Sequence, residues 1–512
     1  MTGTPATPGA TVAERRWLRP GAALVSGLLV GLAFPPFDLG PLVLVALVPL
    51  LWAWRDAGPR RAAWLGFLAG LGFFGVLLSW AWYLGAVALV PLVGIMAATW
   101  ALTGLGVGLL GRVGVRSAWA TAAVWVLVEG LRGRWPLGGF PWGEVGAALH
   151  DVPTARALAS WGGVLLVSFT VVAVNGFLVE LLLADRPAGT WRAPAAGLGV
   201  LLALTLVAGM ARVEGRPSGT LRFALLQGND LDRDLTPEEA DARYLPRSHL
   251  RLASTLEGPY DLVVFPESSL DADPERDAAL RAELVAVGER HGAAVLVNAV
   301  TRDDEGDAFN TNLLYDPGGR LQGTYAKQHL VPFGEYVPLR DHLGFIRELE
   351  QVPTDYTPGP GNVVFEVAGR RVGTIICFES AFGPLVRSVV RDGAEVVVVS
   401  TNNRSYRRSG NPAQHLALSQ MRAAETGRPV LHASISGITG VIDAEGDVRQ
   451  TTSLFESSVV TGEVVTTTGR TPYVRYGSWI LVLSALVVVG LAGRARLRGR
   501  RRRGPGLASP GP

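Results

Sequence analysis

The pattern of apolar and polar positions changes character once along the chain. Up to about residue 215, apolar runs near the roughly 20 residues that span a bilayer follow one another. They lie near 21–36, 39–54, 62–83, 86–111, 117–131, 158–183 and 194–211, and one more, Trp479 to Gly493, stands alone near the end. From about Leu221 the runs shorten. Leu221–Gln227, Asp261–Phe265, Ala294–Val300, Asn312–Tyr315, Val372–Ile376, Glu395–Ser400 and Val430–Ser436 predict strands, several of them apolar throughout, as strands covered on both faces are. Amphipathic stretches at 236–256, 276–291, 383–392 and 412–426 predict the helices between them. The pattern therefore predicts a polytopic α-helical membrane bundle of about eight spans plus one α/β domain with a layered sheet.

The expected divisions are a disordered basic N-terminus at 1–20, a transmembrane bundle at 21–212, an α/β domain at 213–477, a C-terminal transmembrane helix at 478–493 and a basic tail at 494–512. Charge orients them. Arg15, Arg16 and Arg19 precede the first span, Arg55, Arg60 and Arg61 follow the second, and Arg112 and Arg116 follow the fourth. Arg186 and Arg192 follow the sixth, and Arg494, Arg496, Arg498 and Arg500 to Arg503 follow the last. By the positive-inside rule these are cytoplasmic, which puts 213–477 on the extracytoplasmic side of a cell membrane. Arg132 and Arg134, after the fifth span, break the rule. Their segment, Glu129 to Trp142, mixes Trp135, Phe140 and Trp142 with arginine, a composition that suits the lipid headgroup layer, as an aromatic belt or as a lipid-substrate loop.

Composition adds little beyond this. Charged residues make up 18% against 48% hydrophobic, and the net charge of +3 conceals basic clusters at membrane boundaries. The arginine-rich tail reads as a stop-transfer anchor, not as a nucleic-acid contact.

Cys377 is the one cysteine. A lone thiol is packing or chemistry. It ends the predicted strand Val372–Ile376 and is followed by Glu379 and Ser380, and α/β proteins place reacting groups at strand ends. Glu267 follows another apolar strand through Pro266, where a carboxylate can serve as a base or cap a helix. Lys327 and Glu335 share a loop-like segment, Tyr325 to Pro338. These types allow nucleophilic acyl transfer, with Glu267 as base, Lys327 favouring thiolate and oxyanion, and the Phe378 backbone N–H as a second oxyanion donor. A Cys–His pair using His329, His415 or His432 is the rival scheme. No zinc-ligand spacing, phosphate loop or dinucleotide fingerprint is present, so no metal or organic cofactor is expected.

FPES at 265–268, KQHLVPFGEYVP at 327–338 and CFES at 377–380, in that order, resemble the motifs of the nitrilase, or carbon–nitrogen hydrolase, superfamily. With the flanking spans the chain resembles its apolipoprotein N-acyltransferase branch. GFPW at 139–142, QGN at 227–229, Gln414–His415 and RAAETGRP at 422–429 extend the likeness to nearly the whole chain. The resemblance implies an αββα sandwich on a helical bundle, with Glu267 as general base, Lys327 as oxyanion stabiliser and Cys377 as nucleophile. Glu335 and Glu379 would orient the lysine and the substrate amine. Asn312, Asn402, Arg404 and Trp142 are candidate substrate contacts. An acyl chain would pass from a phospholipid, typically phosphatidylethanolamine, to Cys377, and then to the α-amine of a diacylglyceryl-cysteine apolipoprotein. The resemblance has three departures, one of them Phe378 after Cys377, where Tyr is common. After Ser400 the family usually carries an Asp and a Trp–Phe pair, where this chain has TNNRSYRR; after QGN it usually carries a Trp, where this chain has DLDRDL. Arg404, Arg407 and Arg408 suggest contacts to lipid phosphate or a solvated loop. Two further readings are a membrane-tethered amidase using the same triad and a non-catalytic scaffold for a partner such as a glycosyltransferase.

Overall fold

The structure, a computed structural model, describes residues 12–183, 190–211, 215–233, 236–343, 345–346, 349–350 and 352–502. The chain divides into two compact units: Met1–Gly130 with Ser168–Leu202 and Ile480–Pro512, and Leu131–Val167 with Ala203–Trp479.

The first unit is helical. Pro59–Leu77, Ala86–Arg112, Val164–Leu182 and Arg192–Met210 are long and apolar enough to cross a membrane, while Trp17–Leu32, Gly40–Trp54 and Trp479–Ala495 are shorter apolar stretches. Small residues let the backbones approach: a Cβ on Gly66 would lie 2.3 Å from Trp100 O, and one on Gly104 would lie 2.2 Å from Ala62 O. The run expected near 39–54 is broken into Gly40–Leu42, Val43–Ala46 and Val48–Trp54, because Pro41 and Pro49 interrupt it. Asn175 repairs the break. Its Oδ1 accepts from Leu47 N at 2.9 Å, and its Nδ2 donates to Val43 O at 2.9 Å. Backbone polar groups in an apolar setting need such partners. Residues 12–20, expected to be disordered, begin the helix Val12–Leu32, which has no breaker between Val12 and Arg19 and continues through Pro20. Residues 1–11 and 503–512, in the expected N-terminal segment and basic tail, lie outside the described residues.

The second unit is a two-sheet sandwich. Its strands are β1 (Arg216–Gln227), β2 (Leu262–Val264), β3 (Ala294–Arg302), β4 (Ala308–Tyr315), β5 (Leu321–Ala326), β6 (Val364–Val367), β7 (Arg370–Ile376), β8 (Val396–Thr401), β9 (Val430–Ser434), β10 (Gly440–Ile442), β11 (Val448–Thr451) and β12 (Ser458–Thr468). One six-stranded sheet has the order β12-β1-β2-β3-β4-β5 and the other β11-β10-β9-β8-β7-β6. The strand period of two is visible in the packing. Leu221, Phe223 and Leu225 of β1 face Val372, Ile376, Val396 and Val398 of the other sheet, while Ala224 and Leu226 face Leu280 and Leu284 on the helix Ala278–His291. Helices thus cover the outer face of the first sheet, and apolar residues fill the gap between the two sheets.

Leu131–Val167 packs with this unit although it lies between two apolar helices in sequence. Polar side chains tie it down. Trp142 Nε1 donates to Gln414 Oε1 at 2.8 Å, His150 Nδ1 lies 2.8 Å from Gln420 Oε1, and the buried Arg156 donates to Glu445 O at 2.8 Å and pairs with Asp447. Trp135 is exposed, but Trp142 is only 5% exposed, so the segment is not a uniform aromatic belt.

Candidate active site

Four strand ends converge on one point. β7 ends at Ile376, and Cys377 turns the chain with φ +51° into the short 3-10 turn Cys377–Ala381. A residue with a Cβ rarely adopts that conformation, and here it projects the thiol out of the sheet. After β8, Asn402 O lies 3.8 Å from Cys377 Sγ as a weak acceptor. After β2 comes Glu267, and directly after β5 comes Lys327.

Lys327 Nζ lies 3.2 Å from Glu267 Oε1 and 2.9 Å from Glu335 Oε1, with its side chain 1% exposed. Asn310 on β4 joins the two carboxylates by donating from Nδ2 to both at 2.8 Å. Glu267 Oε2 accepts from Asn402 N at 2.8 Å, and Glu335 Oε2 accepts from Val331 N at 2.8 Å. Burial works against the lysine's charge, but the carboxylates of Glu267 and Glu335 win and hold the ammonium well above its usual range. The thiol behaves differently. Burial and then Glu267 push Cys377 up to about 12, while Lys327 and a bond to Thr401 pull it down. A resting thiol rather than a preformed thiolate therefore sits beside a carboxylate and a fixed cation, an arrangement suited to attack assisted by a base.

Glu379 does something else. It is fully buried and accepts from Ile376 N at 2.7 Å, Tyr325 Oη at 2.8 Å, Gln328 N at 2.7 Å and His329 N at 3.1 Å. Burial raises its pKa against these donors. It bonds the backbone on both sides of the site, not the Lys327 amine that it was expected to orient.

Among the described residues no histidine is hydrogen-bonded to the thiol. His415 Nε2 lies 2.9 Å from Cys377 O and 2.7 Å from Ser380 Oγ, bonding the elbow but not its sulfur. His432 Nδ1 meets Ser419 Oγ at 2.8 Å, and the His329 ring stacks on Phe382 at 4.1 Å. Burial lowers His415 to about 4, so it is neutral at ordinary pH.

The first family model to match is described as the apolipoprotein N-acyltransferase N-terminal domain, over residues 26–177, and the second as carbon-nitrogen hydrolase, over residues 224–473. A curated apolipoprotein N-acyltransferase from Azotobacter vinelandii is 35% identical, covering 97% of this chain and 99% of its own length. The chain belongs to the apolipoprotein N-acyltransferase family. Another relative of that name, from Geobacter metallireducens, is 31% identical over 93% of this chain and 95% of its own. A solved amidase from Nesterenkonia sp. AN1 is 19% identical, with a TM-score of 0.36, and covers 52% of this chain and 100% of that one.

Within this member of the family, the weaker sequence candidates fall in unequal places. Asn402 is at the site, through its backbone. Asn312 is not: it is fully buried, with Nδ2 2.7 Å from Thr374 Oγ1 and 3.3 Å from Ser400 Oγ, because it shares the face of β4 that carries Asn310 but lies two residues further along it, between the sheets. Trp142 has its indole N–H engaged by Gln414 and is buried against His415, with ring centroids 5.7 Å apart. Arg404 pairs with Asp230 at 3.6 Å, not with open solvent. The aromatic neighbours of the elbow are Phe140, 5.7 Å from the Phe378 ring, and Phe382, 5.0 Å from it.

Asn310 and Asn298 are not among the candidates that the motifs single out. Asn298 donates to Asn310 Oδ1 at 2.8 Å and accepts from Ser268 N at 2.8 Å, so it fixes both the bridging amide and the turn after Glu267. The signal was present: an asparagine inside the apolar run AVLVNAV needs a buried polar partner.

Proposed function

We propose that the protein transfers an acyl chain from a phospholipid to the N-terminal amine of diacylglyceryl-cysteine apolipoproteins, through a thioester on Cys377. The observation that carries this is the positive-φ thiol beside the Lys327–Glu267–Glu335 cluster, in a chain that also carries apolar helices of membrane-spanning length.

In the first step Glu267 takes the thiol proton as sulfur attacks the acyl ester carbonyl of the lipid. The Lys327 ammonium and the Phe378 backbone N–H bear the oxyanion. The ester C–O bond breaks, the proton passes to the leaving lysophospholipid oxygen, and the thioester remains. In the second step the α-amine attacks the thioester, Glu267 takes a proton from nitrogen, and the C–S bond breaks to return the thiol. Glu335 keeps the lysine in place between the two carboxylates. Phosphatidylethanolamine fits as the donor because the chemistry needs only an acyl ester held at a bilayer.

The same reading places about eight spans in a bacterial cell membrane, the α/β unit on the extracytoplasmic side and the C-terminus in the cytoplasm. The support is the distribution of arginines along the chain. A glycosyltransferase partner belongs to the scaffold alternative, which the ordered Glu267–Lys327–Cys377 cluster disfavours.

Intact mass after incubation with phosphatidylethanolamine tests the proposal. The expected result is a hydroxylamine-labile acyl adduct, absent from Cys377→Ala and discharged by a diacylglyceryl-cysteine peptide but not by water. Rapid discharge by water would make the protein an amidase or esterase, and a folded protein that never acylates would remove the acyltransferase reading.

A further inference from the structure

The two stretches that depart from the family pattern meet each other. Asp230 Oδ2 lies 3.6 Å from Arg404 Nε, and Arg404 Nη2 donates to Arg233 O at 2.8 Å. Asp232 lies 3.4 Å from Arg407 Nη1 and 3.5 Å from Arg408 Nε, and the Arg408 guanidinium sits 5.3 Å from the Phe455 ring centroid. Both acids follow β1, and all three arginines follow β8, so the pairs join strand ends from different sheets. The arginine-bearing turn is not remote from the chemistry. It begins at Asn402, whose N–H is bonded to Glu267 and whose carbonyl faces the thiol. Asn402 Oδ1 accepts from Arg404 N at 3.0 Å, coupling that contact to the first clasped residue. Tyr406, half-buried between Arg404 and Arg407, is within electrostatic reach of Cys377, Lys327, Glu267 and Glu335.

We propose that Asp230 and Asp232 clasp Arg404, Arg407 and Arg408 and so hold the Arg404–Tyr406 turn closed beside Cys377, which makes the five charged residues positioning residues for acyl transfer. The inference rests on the functional reading above and adds to it. The Asp232 pairs are partly exposed and weak alone, while Asp230 is buried, and the five charges act on one short turn. Breaking the clasp lets the turn swing out, carrying the Asn402 N–H away from Glu267 and uncovering the thiol. A carboxylate already on each arginine also leaves it less free for a lipid phosphate.

The test measures two rates on the full-length protein in detergent: acylation of Cys377 by phosphatidylethanolamine and its alkylation by iodoacetamide. Asp232→Asn is expected to slow acylation roughly fivefold, the size of a weak network's loss, and to speed alkylation, with the unfolding midpoint unmoved. Asp232→Glu is expected to restore both rates. Arg407→Gln with Arg408→Gln should match Asp232→Asn, and all three changes together should be no worse than either set alone. Additive losses, or two unchanged rates, would overturn the clasp. So would an arginine variant with a raised KM for phosphatidylethanolamine set against a lowered one in Asp232→Asn, since the arginines would then be a phosphate site. A wild-type protein that never acylates, but whose alkylation still responds to these variants, would overturn the functional reading and leave the clasp supported.

Discussion

Two carboxylate regions flank the elbow, and they do opposite work. On one side Glu267 and Glu335 surround an ammonium, with Asn310 bridging them. On the other, Glu379 makes no ion pair among the described residues and receives backbone N–H groups from Ile376, Gln328 and His329 and the Tyr325 hydroxyl, with the Lys327 ammonium within electrostatic reach. Both are buried, and the family resemblance implies one supporting role for Glu335 and Glu379 alike. The difference is in what each holds still. The first region fixes an ammonium beside the thiol, and the second fixes the backbone at Cys377. Side chains of the same type thus supply either preorganised charge or preorganised chain, according to the donor they meet.

The largest expected effect removes what both regions serve. Cys377→Ala should lower acyl transfer by roughly 10⁴-fold or more, with the residual rate coming from binding and polarisation alone. The check is transfer to a diacylglyceryl-cysteine peptide by a variant with unchanged thermal unfolding. Lys327→Met comes next. It leaves two buried carboxylates facing each other, so it should cost about 10²–10³ in rate and also several kcal/mol in stability, as for a buried pair broken from one side. If this variant kept wild-type activity, the amine region would have no catalytic function.

The sharpest contrast compares Glu335→Gln with Glu379→Gln. The first should slow acylation by about ten- to a hundredfold with the smaller loss of stability, because its amide oxygen serves either Val331 N or the Lys327–Asn310 side but not both, and its partial exposure lets water meet the side left over. The second turns an NH2 toward backbone donors on one side, leaving donor against donor. It should cost on the order of 2–3 kcal/mol of stability and lower the fraction of protein that can be alkylated at Cys377. The comparison fails if the two variants exchange these signatures.

Acidification offers a smaller separation. His415 braces the elbow from the Glu379 side, and burial lowers it from an ordinary 6.5 to about 4, as it does His249. Between those values the unfolded chain binds protons that the folded chain refuses. The stability contribution is therefore complete above 6.5 and is lost as pH falls toward 4, on the order of 3 kcal/mol for each such histidine. The Lys327 ammonium, held above its ordinary value, contributes stability that disappears only when pH rises through its own raised range. Thermal unfolding followed from pH 7 to 4.5 should thus show a falling midpoint, with a shallower fall in His249→Gln. A flat profile would place these histidines in wetter surroundings.

Much of this was legible in the residues. Strand ends at Phe265 and Ile376 are visible because apolar runs stop abruptly at polar residues, and the polar types after them already limit the chemistry. The segment 131–167 was less legible, since its apolar and aromatic content resembles a membrane-boundary loop. Its docking depends on Gln414, Gln420 and Asp447, each more than 250 residues away in sequence. The break at Gly40–Trp54 was signalled by Pro41 and Pro49, but the asparagine that makes it tolerable lies 128 residues on.

By itself the sequence determined the apolar stretches, seven of the twelve strands described and the order of Glu267, Lys327 and Cys377. The strands and apolar stretches follow from local periodicity, while the class of reaction rests on the residue types and on the family resemblance. Only the tertiary structure decided that Glu335 meets the lysine while Glu379 meets backbone, that Asn310 bridges two carboxylates, and that Asp230 and Asp232 meet the arginines after β8. Those choices depend on which donors face one another across a sandwich, as when Asn402 reaches Glu267 over a separation of 135 residues. A buried polar group must find a partner, but local sequence does not say which one.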